Sequence, residues 1–307
     1  MKPLKIKGCD VVRFSPDGAS LACFARDVGV WHLASRKKRL KCHPLSHPAS
    51  ICFSPDGSRL AVKNTSGRIV IINVEDGSIL SDFRNGKDGE GSNLLYSICG
   101  EYLIDGTWNG RLFVRRSDSG RVEFRQDFRH EMIRAVHSAN QGAVWVINHG
   151  PKATSDTDPP PPAHFSIWQW PFEKNSFATF SQGSPFVRRS ALTSDGRFLA
   201  LVYGTKVMTL AVYDMEKGKE IASSTVETGG TGSALNWSGD GAYLGSVQAH
   251  KVTVYSADRL TKVFEYPLPY ASHIAFSPLN DLVAIGSWQG GVVMAMDAVT
   301  GLNPVTA

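Results

Sequence analysis

"SICFSPDGSRLAV", Ser50 to Val62, is a short apolar run, a Ser-Pro-Asp-Gly turn and a second short apolar run. Nearly the same text, "VVRFSPDGASLAC", stands at Val11 to Cys23. Ser, Pro, Asp and Gly all favour tight reversals, so each stretch reads as a β-hairpin. A hairpin written twice, about forty residues apart, points to an internal repeat, which decides the architecture before any other feature does.

The repeat continues along the chain. Aligned on the residue before each first turn, the anchors are Phe14, Phe53, Tyr96, His137, Leu192, Trp237 and Phe276, with gaps of 39, 43, 41, 55, 45 and 39 residues. Some copies are plain, as in "LTSDGRFLAL", "NWSGDGAYLGS" and "AFSPLNDLVAIGS". Two are eroded, "YSICGEYLIDG" and "HSANQGAVWVI". After the second strand each unit carries a polar break and a third strand, such as "RIVIINV" or "KVTVYS". A further turn and a more polar fourth strand follow, such as "ILSDF" or "VEFRQDF". Short strands with a turn signal every eight to twelve residues indicate an all-β chain.

Four antiparallel strands in each of seven units predict a seven-bladed β-propeller, a single domain spanning residues 1–307. A lone four-stranded blade has two apolar faces and cannot bury either, whereas flanking blades bury both. The fourth strand is polar because it is the outer edge. The text "FSPDGSRLAVKNTSGRIVIINVEDGSIL" resembles a WD-repeat unit, and all seven units are similar to that family or a close relative of it. The family's Trp-Asp pair is replaced by "WHL", "INV", "RRS", "QWP", "YDM", "YSA" and "MDA". Its Gly-His before the first strand survives in part as His47 and His130. The chain is therefore expected to be a divergent member whose blades lean on apolar packing. In related propellers an N-terminal strand completes the last blade, so residues 2–7 are expected as the outer strand of blade seven.

The bulk numbers agree with a soluble fold. Of the 307 residues, 42% are hydrophobic and 20% charged, and no run of eighteen apolar residues could span a membrane. The start, "MKPLKIKGCDVV", has no apolar core of a secretory signal, so a cytoplasmic monomer is expected. Five cysteines, all in the first third, have an odd count and no regular spacing, which suits buried free thiols rather than a disulfide framework.

The loops carry the functional signal. In a propeller, the turns between first and second strands and between third and fourth strands open on one side. The remaining connections open on the other. Here the first kind is short and uniform. The second kind is variable: 84–93, 148–164, 181–186 and 227–232. Variable loops on a rigid scaffold are where binding resides. Trp108 and Trp288 occupy one slot in blades three and seven, beside Asn109 and Gln289. These four, with Asn64 and His250, are the expected contacts for a protein or peptide partner. The alternative for each Trp is sideways packing on the next blade. The run "DTDPPPP", 156–162, reads either as a disordered insertion, as polar and Pro-rich loops of this length commonly are, or as an extended polyproline segment that proline-binding modules read.

An enzyme of the propeller hydrolase or lactonase type is the alternative function, with its site at the central channel. No Gly-x-Ser-x-Gly elbow is present to support it. Nine histidines are scattered, of which His149, His164 and His250 approach the variable-loop side, with Asp105 or Asp156 as possible company. Cys42, His43 and His47 lack the fourth ligand of a structural zinc site, so no metal and no cofactor are expected. Net charge is +5, and the one basic cluster, "SRKKRLK" at 35–41, falls opposite the variable loops, so nucleic acid is not the expected partner.

Overall fold

The computed structural model describes residues 2–84, 89–91, 93–128, 131–139, 144–151, 163–169, 178–181, 187–204, 207–226, 234–248, 250–279 and 281–300. Within them the chain forms seven four-stranded antiparallel sheets. The innermost strands run Val11–Phe14, Pro48–Phe53, Asn93–Tyr96, Glu131–Ala139, Val187–Leu192, Leu235–Trp237 and Ala271–Phe276. They touch in cyclic order, each blade's against the next and blade seven's against blade one's, so the ring is closed. Both eroded repeats form full blades. Of the variable loops, 85–88, 92, 152–162, 182–186 and 227–233 lie outside the described residues, and so does the proline run.

The repeated turn letters become repeated hydrogen bonds. The Ser15 hydroxyl donates to Asp17 at 2.5 Å and accepts the Ser20 N–H at 2.9 Å. Ser54 does the same with Asp56 and Arg59, at 2.5 and 2.9 Å. Thr193 and Ser238 repeat the arrangement with Asp195 and Phe198, and with Asp240 and Tyr243. Each turn closes on a glycine with positive φ, 70° at Gly18 and 72° at Gly57, where any Cβ would be strained. The hydroxyl bonds hold the carboxyls of Asp17 and Asp56 below the usual range.

Strand alternation builds the core. In Arg68–Asn73, Ile69 and Ile71 point into the blade two–three interface with Leu94 and Leu103. Their neighbours Val70 and Ile72 point the other way, toward Val28 and Val30 of blade one. A strand sandwiched between two sheets needs apolar residues at every position, and all four are at most 1% exposed. Each of the seven blade-to-blade interfaces has its own apolar cluster. The outer strands instead alternate exposed and half-exposed, as in Ile79–Arg84 and Val122–Asp127.

Blade seven consists of Ala271–Phe276, Leu282–Ser287, Gly291–Ala295 and, antiparallel to the last, Leu4–Ile6 from the other end of the chain. Its third strand stops at Ala295 rather than 297, because the backbone turns into a short helix, Met296–Thr300, that buries Met296 and Val299. The cysteines are free, but only Cys9, Cys23 and Cys52 are buried; Cys42 is half-buried and Cys99 is exposed in a turn of blade three. The basic cluster lies in the outer strand Lys37–Cys42 and the turn before it. There Arg36 donates to the Pro3 carbonyl, Lys41 pairs with Asp27, and Lys38 sits over the Trp31 ring.

Candidate functional site

The variable-loop side is built by one recurring device. The turn after the second strand is held by a polar residue at that strand's end. Asn64 accepts the Arg68 N–H and the Ser66 hydroxyl, each at 2.9 Å, and donates to the Ser46 carbonyl at 3.2 Å. Thr107 takes the same place in blade three, accepting the Arg111 N–H at 3.0 Å. Ser287 takes it in blade seven, donating to the Pro269 carbonyl and accepting the Gln289 N–H. The next residue's N–H then reaches the incoming inter-blade loop: Thr65 to His47 O, Trp108 to Glu90 O and Trp288 to Tyr270 O. Trp108 and Trp288 thus share one slot. Asn64, buried at 7% exposure, is engaged in its own turn.

The expected contact residues divide on exposure. Trp288 is 62% exposed, and Gln289, Asn109 and His250 are exposed as well. Trp108 is half-buried. Trp288 lies parallel to Tyr270, ring centroids 6.4 Å apart and planes 4° from parallel. Tyr270 in turn meets His250 edge-to-face at 6.0 Å. The three form a continuous aromatic patch between blades six and seven. Tyr270 was not among the sequence candidates. It has φ of 56°, as His47 does at 53°, and this left-handed backbone turns both residues out just before an innermost strand.

A second polar group lies on blade four. Glu131 begins the innermost strand, His149 lies in Val144–Pro151, and His164 opens His164–Gln169. His149 is directly opposite His164, while Glu131 is opposite Pro151, two residues along from His149. The period of two therefore puts all three side chains on one face of the sheet. The Glu131 carboxylate contacts Nδ1 of both imidazoles, His149 through Oε2 and His164 through Oε1, the latter at 3.0 Å. Nε2 of His149 is 2.8 Å from the Ser166 hydroxyl. Burial outweighs the adjacent carboxylate and holds His149 below its ordinary pKa. The Ser166–His149–Glu131 order is that of an acyl-transfer site, but Ser166 is only 2% exposed inside the blade. Asp105 does not supply the acid, since it is buried against Lys63 of blade two; Asp156 lies outside the described residues. Cys42, His43 and His47 do not converge; His43 instead faces Asp27 at 3.3 Å.

The innermost strands carry a third polar set. Arg13 approaches Nε2 of His273 at 2.9 Å, and His137 shares Ser190 with Asn148. Burial, with the Arg13 charge adding to it, pushes the His137 pKa down to about 4 and His273 well below its usual value. Both imidazoles are neutral in the folded chain and protonate near pH 6.5 when unfolded. The unfolded state thus binds more protons between about pH 6.5 and 4, so stability falls as pH falls through that window. Melting temperature is expected to drop from pH 7 to about pH 4.5, above the range where Asp17 and Asp56 titrate. His137→Gln should flatten that decline; an unaltered slope would remove His137 from the explanation.

Comparison with known proteins places part of this chain. The family model described as the anaphase-promoting complex subunit 4 WD40 domain matches residues 28–99. The meiotic recombination protein rec14 of Schizosaccharomyces pombe is 29% identical over 102 residues, which is 32% of this chain and 33% of that protein. The match therefore spans about a third of the relative's length.

Proposed function

We propose, from the premise that this chain is a divergent WD-repeat-like β-propeller, that it is a scaffold which docks a protein or peptide partner on its variable-loop side. One observation carries the choice of surface: Trp288 and Tyr270 are 62% and 50% exposed yet stacked on each other. Large aromatic side chains in water are costly unless covered, and stacked rings with polar neighbours are typical anchors of interfaces. Gln289 and His250 flank the rings and supply hydrogen bonds to a bound backbone. Trp108, with Asn109, presents the matching slot on blade three as a second contact.

The partner is read as a segment that lays an apolar or cationic side chain over the Trp288 ring. No cofactor takes part, and nucleic acid is not the intended partner. The test is quantitative capture of partners from native extract by the immobilised chain. Trp288→Ala combined with Tyr270→Ala should lower recovery of the principal partner at least tenfold, about what the loss of one anchor residue brings. Trp108→Ala should weaken it less, since that ring is half-buried. Ile79→Ser on the outer edge of blade two serves as the reference. Equal recovery from the double variant and the wild type would refute this assignment of the surface.

A further inference from the structure

We propose that Glu131, His149 and His164 form a binding site for a divalent first-row transition metal of the zinc class on blade four. Among the described residues, this is the group of three His, Cys, Asp or Glu side chains whose ligand atoms all lie within 4.8 Å of one another. The donor set, two imidazoles and one carboxylate, suits a borderline-soft cation such as zinc.

The hydrogen bonds are compatible with a cation in this place. A neutral imidazole has one N–H for two partners. His149 has the Ser166 hydroxyl at Nε2 and the Glu131 carboxylate at Nδ1. With the Ser166 hydroxyl donating to Nε2, Nδ1–H serves the carboxylate and no ion is needed; with Nε2–H donating to Ser166, the Nδ1 lone pair faces the carboxylate, and this is the tautomer that an entering cation selects. Fixing one ring nitrogen by a hydrogen bond so that the other faces the ion is the usual arrangement around metal-bound histidine. Ligand atoms on one tetrahedral ion stand roughly 3.3 Å apart, from bonds of about 2.0–2.1 Å. The 3.0 Å separation of His164 Nδ1 and Glu131 Oε1 already approaches this. The closer His149–Glu131 contact opens as the ion enters. An ion can reach the group from outside, since the His164 and Glu131 side chains are 30% and 17% exposed while His149 is buried at 6%.

Three protein ligands leave a position for water or for a donor from a partner. The ion would also tie the first three strands of the blade together where Pro151 leads into the long connection toward Ala163. This proposal stands independently of the partner surface between blades six and seven.

The experiment is calorimetric titration of the full chain with zinc chloride in chelator-free buffer, followed by cobalt chloride with visible absorption. Wild type is expected to bind one equivalent, to show a cobalt–histidine band, and to gain about 5 °C or more in Tm at saturating zinc. His164→Ala and Glu131→Gln should each weaken binding at least tenfold and abolish the Tm gain. Ser166→Ala should weaken it about tenfold through the lost orientation of His149. His43→Ala, at the exposed His43–Asp27 pair, should bind as wild type does. Circular dichroism confirms that each variant is folded before titration. No zinc binding by wild type, or equal affinity in a folded His164→Ala, would overturn the proposal.

Discussion

Asp105→Ala is expected to lower the stability of this chain by about 3–5 kcal/mol, the cost typical of leaving a buried charge without its counterion. Lys63 and Asp105 come from the second strands of adjacent blades, Arg59–Asn64 and Tyr102–Gly106, and both side chains are 0% exposed. The ammonium donates to the Asp105 carboxylate and, at 3.3 Å, to the Gly106 carbonyl. Arg115 lies 3.9 Å from the other carboxylate oxygen, and burial lowers its pKa. Removing Asp105 leaves two cations beside the Ile69–Leu103 cluster, with the Gly106 and Gly120 carbonyls in place of a charge. At roughly 2–4 °C per kcal/mol for a chain of this size or somewhat smaller, Tm should fall by about 10 °C. The control is the double replacement Lys63→Met with Asp105→Leu. An apolar pair of similar volume often matches a buried ion pair, so the double variant should regain more than half of the loss. A single variant within about 1 kcal/mol of wild type would show that water reaches this pair.

Removing residues 1–8 should produce a loss at least as large. Leu4, Lys5 and Ile6 face Val293, Val292 and Gly291 along the outer edge of blade seven. Ile6 is 2% exposed and packs with Val12, Leu21 and Val293, joining blade seven to blade one. Burial of one such side chain contributes about 2–3 kcal/mol, and each ladder hydrogen bond about 1 kcal/mol more. Together these are a large part of the 5–15 kcal/mol typical of a whole domain. The shortened chain should melt about 10 °C or more below wild type and unfold faster. A melting curve superimposed on that of the full chain would show that the ring does not need this strand.

The sequence showed the fold wherever the same physical problem recurs seven times. Ser-x-Asp-Gly is legible because its hydroxyl, carboxylate and left-handed glycine are all needed for the turn itself, with no help from neighbours. The slot shared by Trp108 and Trp288 is legible for the same reason, since Thr107 and Ser287 set it locally. What the letters did not show depends on partners far away in the chain. Lys63 reads as a surface residue in "AVKNTSG", but its counterion is 42 positions on, in another blade. Glu131 reads as an ordinary strand start. Only the register across Val144–Pro151, with its irregularity at Ile133–Ala135, brings it to His149 and His164. Tyr270 stands in a loop without repeated letters, and its outward direction comes from a backbone angle. Asn64 illustrates the opposite case: an Asn in a turn suggests a free amide, yet its oxygen is used by the turn and its nitrogen by the Ser46 carbonyl of the preceding loop.

The last blade also has a consequence in time. On the ribosome, Leu4–Ile6 is made long before its partner Gly291–Ala295. Until blade seven is made, one end of the growing stack shows an unpaired strand, and Val12 and Leu21 lack the cover of blade seven. The nascent chain is thus a row of blades with sticky ends, and is at its greatest risk of joining a neighbouring chain until blade seven is made and the ring closes on itself.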